Sequence, residues 1–337
     1  MNHLTNWADL PDDVWEACLA RALHLKGAGA WPRTARDRAI ALVFLNPSLR
    51  TRASMELAAA RLGAESVTLT PGSGTWGLEW RDGVAMDGEA AEHVREAVGV
   101  LGRYADAVGV RTFASLRDYD ADRTDGAFRA VVAASSVPVV NLESARWHPC
   151  QALADAAALR ETVGDPRGKK FVLQWAPHPR ALPQAVPNSA LLMAAQLGME
   201  VLVSRPEGFG LASDVMETAR AAASRSGGSV VETADRDLGL AGAHAVYVKA
   251  WSGDLVYDDP DAEAARRAAH AGWRLGESDF LKTDRAAFMH CLPVRRDVVV
   301  GADVVDSDRA IHLLQAEYRL YAQMAVLEWL WDLPHAG

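Results

Sequence analysis

Ala39-Ile-Ala-Leu-Val-Phe-Leu45, followed at once by Asn46-Pro-Ser-Leu-Arg-Thr-Arg52 and then by Ala53 to Leu62, decides the fold of this chain. The apolar run reads as a buried strand. The Ala/Leu/Met/Glu-rich run that ends at Gly63 reads as a helix with its stop signal. Ser48 and Thr51 then fall at a strand-to-helix turn, where free backbone N–H groups and the helix dipole favour an anion. Arg50 and Arg52 add guanidinium donors suited to phosphate oxygens. A small phosphorylated substrate is the natural reading.

The same alternation continues outward from that turn. A helix over Pro11–Lys26 comes before it. Strands are predicted at Ser66–Thr70, Ala107–Arg111 and Val137–Glu143, with a helix over Glu89–Tyr104 between them. Pro149 opens a long Ala/Leu helix to about Thr162, with proline in the tolerated first turn. A second series follows, with strands at Lys170–Ala176, Glu200–Ser204, Ser229–Thr233, Ala243–Ala250 and Ala287–Cys291. Its helices lie near Asn188–Leu197, Ser213–Ser226 and Asp235–Leu240. Two α/β lobes are expected, each a parallel sheet flanked by helices. Ala316–Trp331 is apolar and helical.

The 337 residues suit about two domains. A net charge of −9 argues against nucleic acid and anionic membrane as partners. Cys18, Cys150 and Cys291 are far apart and show no metal-ligand spacing, so no metal site is expected and a reducing compartment fits. The polar N-terminus has no signal-peptide core, and no apolar run could span a bilayer. The expectation is a cytoplasmic protein. After the strand near 170, His178-Pro-Arg-Ala-Leu-Pro-Gln-Ala-Val-Pro187 stands where a dinucleotide-binding glycine motif would be, and no cofactor is expected.

Ser48-Leu-Arg-Thr-Arg52, His148-Pro-Cys-Gln151 and His290-Cys-Leu-Pro293, in this order with Arg111 ending a strand between the first two, resemble the carbamoyltransferases. The resemblance runs over essentially the whole chain. It implies a carbamoyl phosphate domain over 1–147, an acceptor domain over 148–312, and a C-terminal helix over 313–334 that returns to the first domain. In the N-acylornithine branch the proline-rich loop is the eye of a deep knot, threaded by the chain around Tyr247–Trp251. The resemblance assigns the phosphate to Ser48, Leu49, Arg50, Thr51 and Arg111, with Arg295 nearby. It assigns the carbonyl oxygen to Arg50, Thr51 and His148, and the carbamoyl NH2 to Gln151 and the Leu292 carbonyl. The Leu292–Pro293 bond is expected cis, and Arg50, Thr51, His148 and Arg295 are the expected catalytic residues.

Val246-Tyr-Val-Lys-Ala-Trp-Ser-Gly253 replaces the acidic Ser-Met-Gly loop with which ornithine carbamoyltransferases grip a free α-ammonium. Lys249 would repel that cation. The implied acceptor is an N-acylornithine, giving N-acylcitrulline and phosphate in arginine biosynthesis. Glu143, His178, Lys249, Cys291 and Leu292 are the implied acceptor contacts. Trp76 resembles the tryptophan that this branch inserts into a neighbouring subunit of a homotrimer. Ala91 aligns with the residue that bounds the acyl pocket, which favours N-succinylornithine. A register one residue along brings in Glu92 and favours N-acetylornithine. Val299 stands where acetyl-preferring enzymes carry a modifiable lysine. The alternatives carried forward are N-acetylornithine, free ornithine and a catalytically silent assembly subunit.

Overall fold

The structure is a computed structural model and describes residues 1–334. Its strands are β1 Ala39–Phe44, β2 Glu65–Leu69, β3 Gly77–Glu79, β4 Ala90–His93, β5 Ala107–Arg111, β6 Val139–Glu143, β7 Lys170–Trp175, β8 Glu200–Ser204, β9 Ser229–Thr233, β10 Ala245–Lys249 and β11 Ala287–Met289. The helices of the first half are α1 Asp12–Gly27, α2 Arg50–Leu62, α3 Val94–Tyr104, α4 Tyr119–Thr124, α5 Gly126–Ala134 and α6 Pro149–Val163. Those of the second half are α7 Ala185–Gln196, α8 Ser213–Ser226, α9 Arg236–Leu240, α10 Leu255–Asp258, α11 Pro260–Ala269, α12 Glu277–Phe280, α13 Ala302–Val305 and α14 His312–Leu330.

The chain forms two compact units. Residues 1–153 and the chain from Tyr318 onward make unit 1, and Ala154–Glu317 makes unit 2. The divisions fall inside α6 and α14, rather than ahead of His148 and at residue 313. Among the described residues no helix is long and apolar enough to cross a membrane.

Unit 1 holds a parallel sheet in the order β2-β1-β5-β6. The all-apolar β1 is buried from Ile40 to Phe44, as a strand covered on both faces requires. Next comes α2, which ends at Gly63, whose φ of +85° is cheap only for glycine, with its N–H on the carbonyls of Ala59 and Ala60. The C-terminal part of α14 belongs to this unit. Glu328 there is fully buried and takes Arg21 Nε at 2.7 Å and Thr34 Oγ1 at 3.0 Å.

Unit 2 is a parallel sheet in the order β11-β10-β7-β8-β9. Its core includes Val172, Val246, Val248, Phe280 and Phe288. The proline-rich loop is hydrogen-bonded to the chain beyond β10. Leu182 N donates to Ser252 Oγ at 2.9 Å, Ser252 N to Leu182 O at 3.0 Å, and Gln184 Nε2 to Ser252 O at 2.8 Å. Gly253 follows, where a Cβ would lie 1.9 Å from the Gly208 carbonyl oxygen.

The element boundaries differ from expectation where a local hydrogen bond intervenes. The helix expected from Glu89 begins at Val94, because Ala90–His93 pairs with β3 and the His93 ring then caps α3 through the Arg95 N–H. Strand β6 starts at Val139, since Pro138 has no N–H to donate. Strand β11 stops at Met289, because His290 N turns to Gln315 Oε1 at 2.9 Å. The sequence assigns no element between Arg111 and Val137. There α4 and α5 meet at Asp125, whose φ of +57° is left-handed.

Candidate active site

In unit 1 the ends of β1, β5 and β6 and the starts of α2 and α6 bring the expected residues together. Thr51 is buried, Arg50 half-buried and Leu49 exposed. The Ser48 hydroxyl accepts the Thr51 N–H at 3.2 Å, so that amide is spent inside the turn. Arg52 does not join Arg50. Two positions along a helix differ by about 200°, and Arg52 instead pairs on the surface with Glu56 at 3.0 Å.

Arg111 ends β5 with its side chain buried, donating to Glu143 Oε2, its guanidinium 4.3 Å from the centre of the Phe113 ring. Its Nε has no acceptor among the described residues. Glu143 sits where the β5–β6 register slips, with a φ of +156°. Such backbone strain persists only where the surroundings hold it. Its Oε2 is also 3.3 Å from His148 Nε2. Burial, then the charges of Arg319, Arg111 and Arg50, hold the His148 imidazole well below the usual histidine range, so it is neutral at pH 7.

The sequence reading missed Arg319. It lies on α14, buried, with Nη1 donating to Gln151 Oε1 at 2.7 Å, Nη2 donating to Thr51 Oγ1 at 3.1 Å, and Nη1 3.5 Å from His148 Nε2. The available signal was that Arg319 is the only Lys or Arg after Arg309. Gln151 Oε1, expected to face a ligand NH2, thus already accepts from a guanidinium.

Unit 2 collects a separate cationic group. Lys249 ends β10 half-buried. His178 is half-buried, with Nδ1 at the Arg180 amide, 3.0 Å away, and its carbonyl accepting Arg267 Nη1 at 2.7 Å. Burial lowers the His178 pKa, the Arg180 backbone bond opposes this, and Lys249, Arg295 and Arg267 lower it further. Arg267, also missed, is buried beside Glu263 at 2.8 Å. A cavity of about 500 Å³ is lined by His178, Arg267, Arg274 and Asp297 among others. The Leu292–Pro293 bond is cis, as expected, and the Leu292 N–H donates to His290 Nδ1 at 2.8 Å. The Cys291 side chain is half-buried and shares a hydrogen bond with the Tyr247 hydroxyl, which donates to Asp155 Oδ2 at 2.9 Å. Arg295 is exposed and Val299 buried.

Trp76, expected to enter a neighbouring subunit's active site, and Ala91, expected to bound the acyl pocket, are both exposed in unit 1. Trp76 is 60% exposed, and its indole N–H donates to Glu92 Oε2 at 2.6 Å. Ala91 is exposed on β4, at the point where the β3–β4 register slips and leaves it without a partner, and its neighbour Glu92 is half-buried.

Residues 2–161 match the family described as aspartate/ornithine carbamoyltransferase, carbamoyl-P binding domain. Residues 183–330 match its Asp/Orn binding domain. The chain is 39% identical over 330 residues to N-acetylornithine carbamoyltransferase of Xanthomonas campestris pv. campestris, covering 97% of each chain. It is 34% identical to N-succinylornithine carbamoyltransferase of Bacteroides thetaiotaomicron, covering 94% of each. The crystal structure of acetylornithine transcarbamylase complexed with acetylcitrulline superposes with a TM-score of 0.94 at 39% identity, over 98% of this chain and 99% of that one. Matched along both halves and nearly end to end, the chain belongs to the aspartate/ornithine carbamoyltransferases, on their N-acylornithine branch, and is an enzyme of that family.

Proposed function

We propose that this enzyme transfers the carbamoyl group of carbamoyl phosphate to the δ-amine of an N-acyl-L-ornithine, with N-succinyl-L-ornithine the preferred acceptor. The observation that carries the reading is the group of buried Thr51, Arg111, His148 and Arg319 with the half-buried Arg50. It concentrates guanidinium and hydroxyl donors around a neutral imidazole, which suits a phosphate beside a carbonyl that becomes an oxyanion. Arg111, the Ser48–Thr51 turn and Arg50 would hold the phosphate. Arg50, Thr51 and His148 would face the carbonyl oxygen, with Arg319 supporting Thr51. Gln151, the Leu292 carbonyl and Cys291 would bound the NH2.

In unit 2, His178, Lys249, Arg267 and Arg295 make an environment hostile to an α-ammonium and suited to carboxylates. That fits an acceptor whose α-nitrogen is acylated. Glu143 would read its amide or amine. The neutral δ-amine attacks the carbonyl carbon, the bond from that carbon to the bridging phosphate oxygen breaks, and the departing phosphate takes the amine proton, so no dedicated protein base is required. The products are N-acylcitrulline and phosphate, a step of arginine biosynthesis. The proline-rich loop bonded to Ser252 is read as the eye of a knot threaded by residues 247–251. The assembly is read as a homotrimer in the cytoplasm, with the exposed Trp76 entering a neighbour's site.

A second reading, N-acetylornithine as acceptor, is favoured by the bond between Trp76 and Glu92. If Trp76 enters the acyl pocket with Glu92 attached, that carboxylate repels a succinyl group. Citrulline-product formation from carbamoyl phosphate with N-succinyl-, N-acetyl- and free L-ornithine in parallel decides between them. Faster turnover of the succinyl compound upholds Ala91 as the pocket wall, and acetyl preference assigns that wall to Glu92. Turnover of free ornithine alone overturns the argument from Lys249.

A further inference from the structure

The turn Glu143-Ser-Ala-Arg-Trp-His148 joins two site residues, and what holds it lies behind it. Ser144 is fully buried. Its Oγ faces three N–H donors, from Asn141 Nδ2 at 3.0 Å, Trp147 N at 3.2 Å and Arg146 N at 3.4 Å. The hydroxyl proton has two acceptors in reach, Asp125 Oδ2 at 2.6 Å and the Trp147 carbonyl at 3.4 Å, and the much shorter contact to Asp125 takes it. The other carboxyl oxygen, Oδ1, accepts the Ala145 N–H at 3.0 Å. Both oxygens of Asp125 therefore act as acceptors, a pattern that suits the ionised carboxylate, which has no proton to place.

We propose that Asp125 is a positioning residue for the transfer, its carboxylate clamping Ser144 and Ala145 so that Glu143 and His148 keep their places. The proposal rests on the reading of those two as site residues. Two features make the clamp necessary. Glu143 carries the strained φ of +156°, and the chain immediately after it is what Asp125 grips. Asp125 is itself in the left-handed region at the α4–α5 junction, where aspartate and asparagine are tolerated better than other non-glycine residues.

The clamp is also sensitive to acid. Burial pushes the Asp125 carboxyl up to about 6, against the bonds from Ser144 and Ala145 and the charges of Arg146 and Arg129. The other charged groups lining the adjoining cavity are Glu79, Arg81, Asp118 and Asp122. Glu79 is tied to Arg81, and Asp122 to the amides of Ser115 and Leu116. On protonation one Asp125 oxygen becomes a donor facing a donor, and the turn loses a bond.

Asp125→Asn keeps the backbone preference and the size, and it reproduces that protonated pattern at every pH. Expected at pH 7.5 is a fall in kcat of about 10- to 100-fold, as an ångström-scale displacement gives, with the fold retained by circular dichroism. The wild-type kcat should show an acid limb near pH 6 that the variant lacks. Ser144→Ala, which removes the bridging hydroxyl, should lower kcat in the same direction. Wild-type kcat in Asp125→Asn with the acid limb unchanged overturns the proposal if Glu143→Gln is impaired. If Glu143→Gln is also unimpaired, the site reading itself fails.

Discussion

Arg319→Met tests whether the residue found only in three dimensions serves the reaction. The substitution keeps an unbranched apolar stem of similar reach and removes the donors to Thr51 Oγ1 and Gln151 Oε1, at 3.1 and 2.7 Å. In the ground state each bond to a charged donor nets about 1.5–3 kcal/mol. Part of that is returned, because Arg319 shares its surroundings with Arg111 and Arg50 and all three cations depress the same imidazole. Stability should therefore change little. The transition state has no such compensation: Thr51, which is to face the negative charge growing on the carbonyl oxygen, loses the guanidinium that holds it, and such misplacement costs about 10²-fold in kcat. A second signature accompanies the first. Arg319 is the strongest of the three charges that lower the His148 pKa, so removing it moves that pKa up, while burial still keeps it below the ordinary value. Steady-state citrulline formation, calorimetry with carbamoyl phosphate and the His148 ring resonances followed against pH give the three readouts. A kcat within threefold of wild type, together with an unmoved His148 titration, refutes the assignment.

Glu328→Gln leaves the buried Arg21 cation without its carboxylate and should cost about 3–5 kcal/mol, read as a lower urea midpoint. The Arg21→Met/Glu328→Leu double variant should cost less than Glu328→Gln alone, and equal losses would contradict the pairing argument. Lys249→Asp should cut turnover of N-acylornithine at least tenfold and raise that of free ornithine from its baseline, in the same product assay. No gain with ornithine would show that the charge at the end of β10 does not select the acceptor. Asp125 also has a stability signature. Its folded pKa, about 6, lies above the unfolded value of 3.8, so its contribution to stability is present in full below pH 4 and is lost as pH rises to 6. Wild type should therefore lose on the order of 3 kcal/mol relative to Asp125→Asn across that window, by denaturant titrations at pH 4 and 7. A difference that does not change with pH would contradict the shift.

The residues legible in the sequence are those whose placement follows from one local element. Ser48 to Thr51 are fixed once β1 is read as a strand and α2 as a helix, and His148 and Gln151 once α6 is given its first turn. Arg52 shows the limit of reading a motif by residue type. Its chemistry matches Arg50, but helix periodicity alone sets it on the other side, as its pairing with Glu56 bears out. Arg319 and Arg267 could not be found this way, because what brings each to the candidate site is the element it meets, more than 80 residues away in the case of Arg267 and His178. For Arg319 the trace is a single cation on an otherwise largely apolar helix; Arg267, next to Arg266 in α11, leaves no such mark.

Asp125 is harder still to read, since nothing near it in sequence marks a site. It falls between two short helices that composition does not separate, and its partners Ser144 and Ala145 carry no signal of their own. A buried serine oxygen that faces three N–H donors sends its proton to Asp125 Oδ2, while Oδ1 takes the Ala145 amide, an arrangement that suits an ionised carboxylate. An ionised group is thereby favoured at a buried position that raises its pKa, a cost to stability at neutral pH that the fold retains. The strained carboxylate-bearing residue just before that serine, Glu143, is where the return on that cost is expected, and the activity of Asp125→Asn measures it.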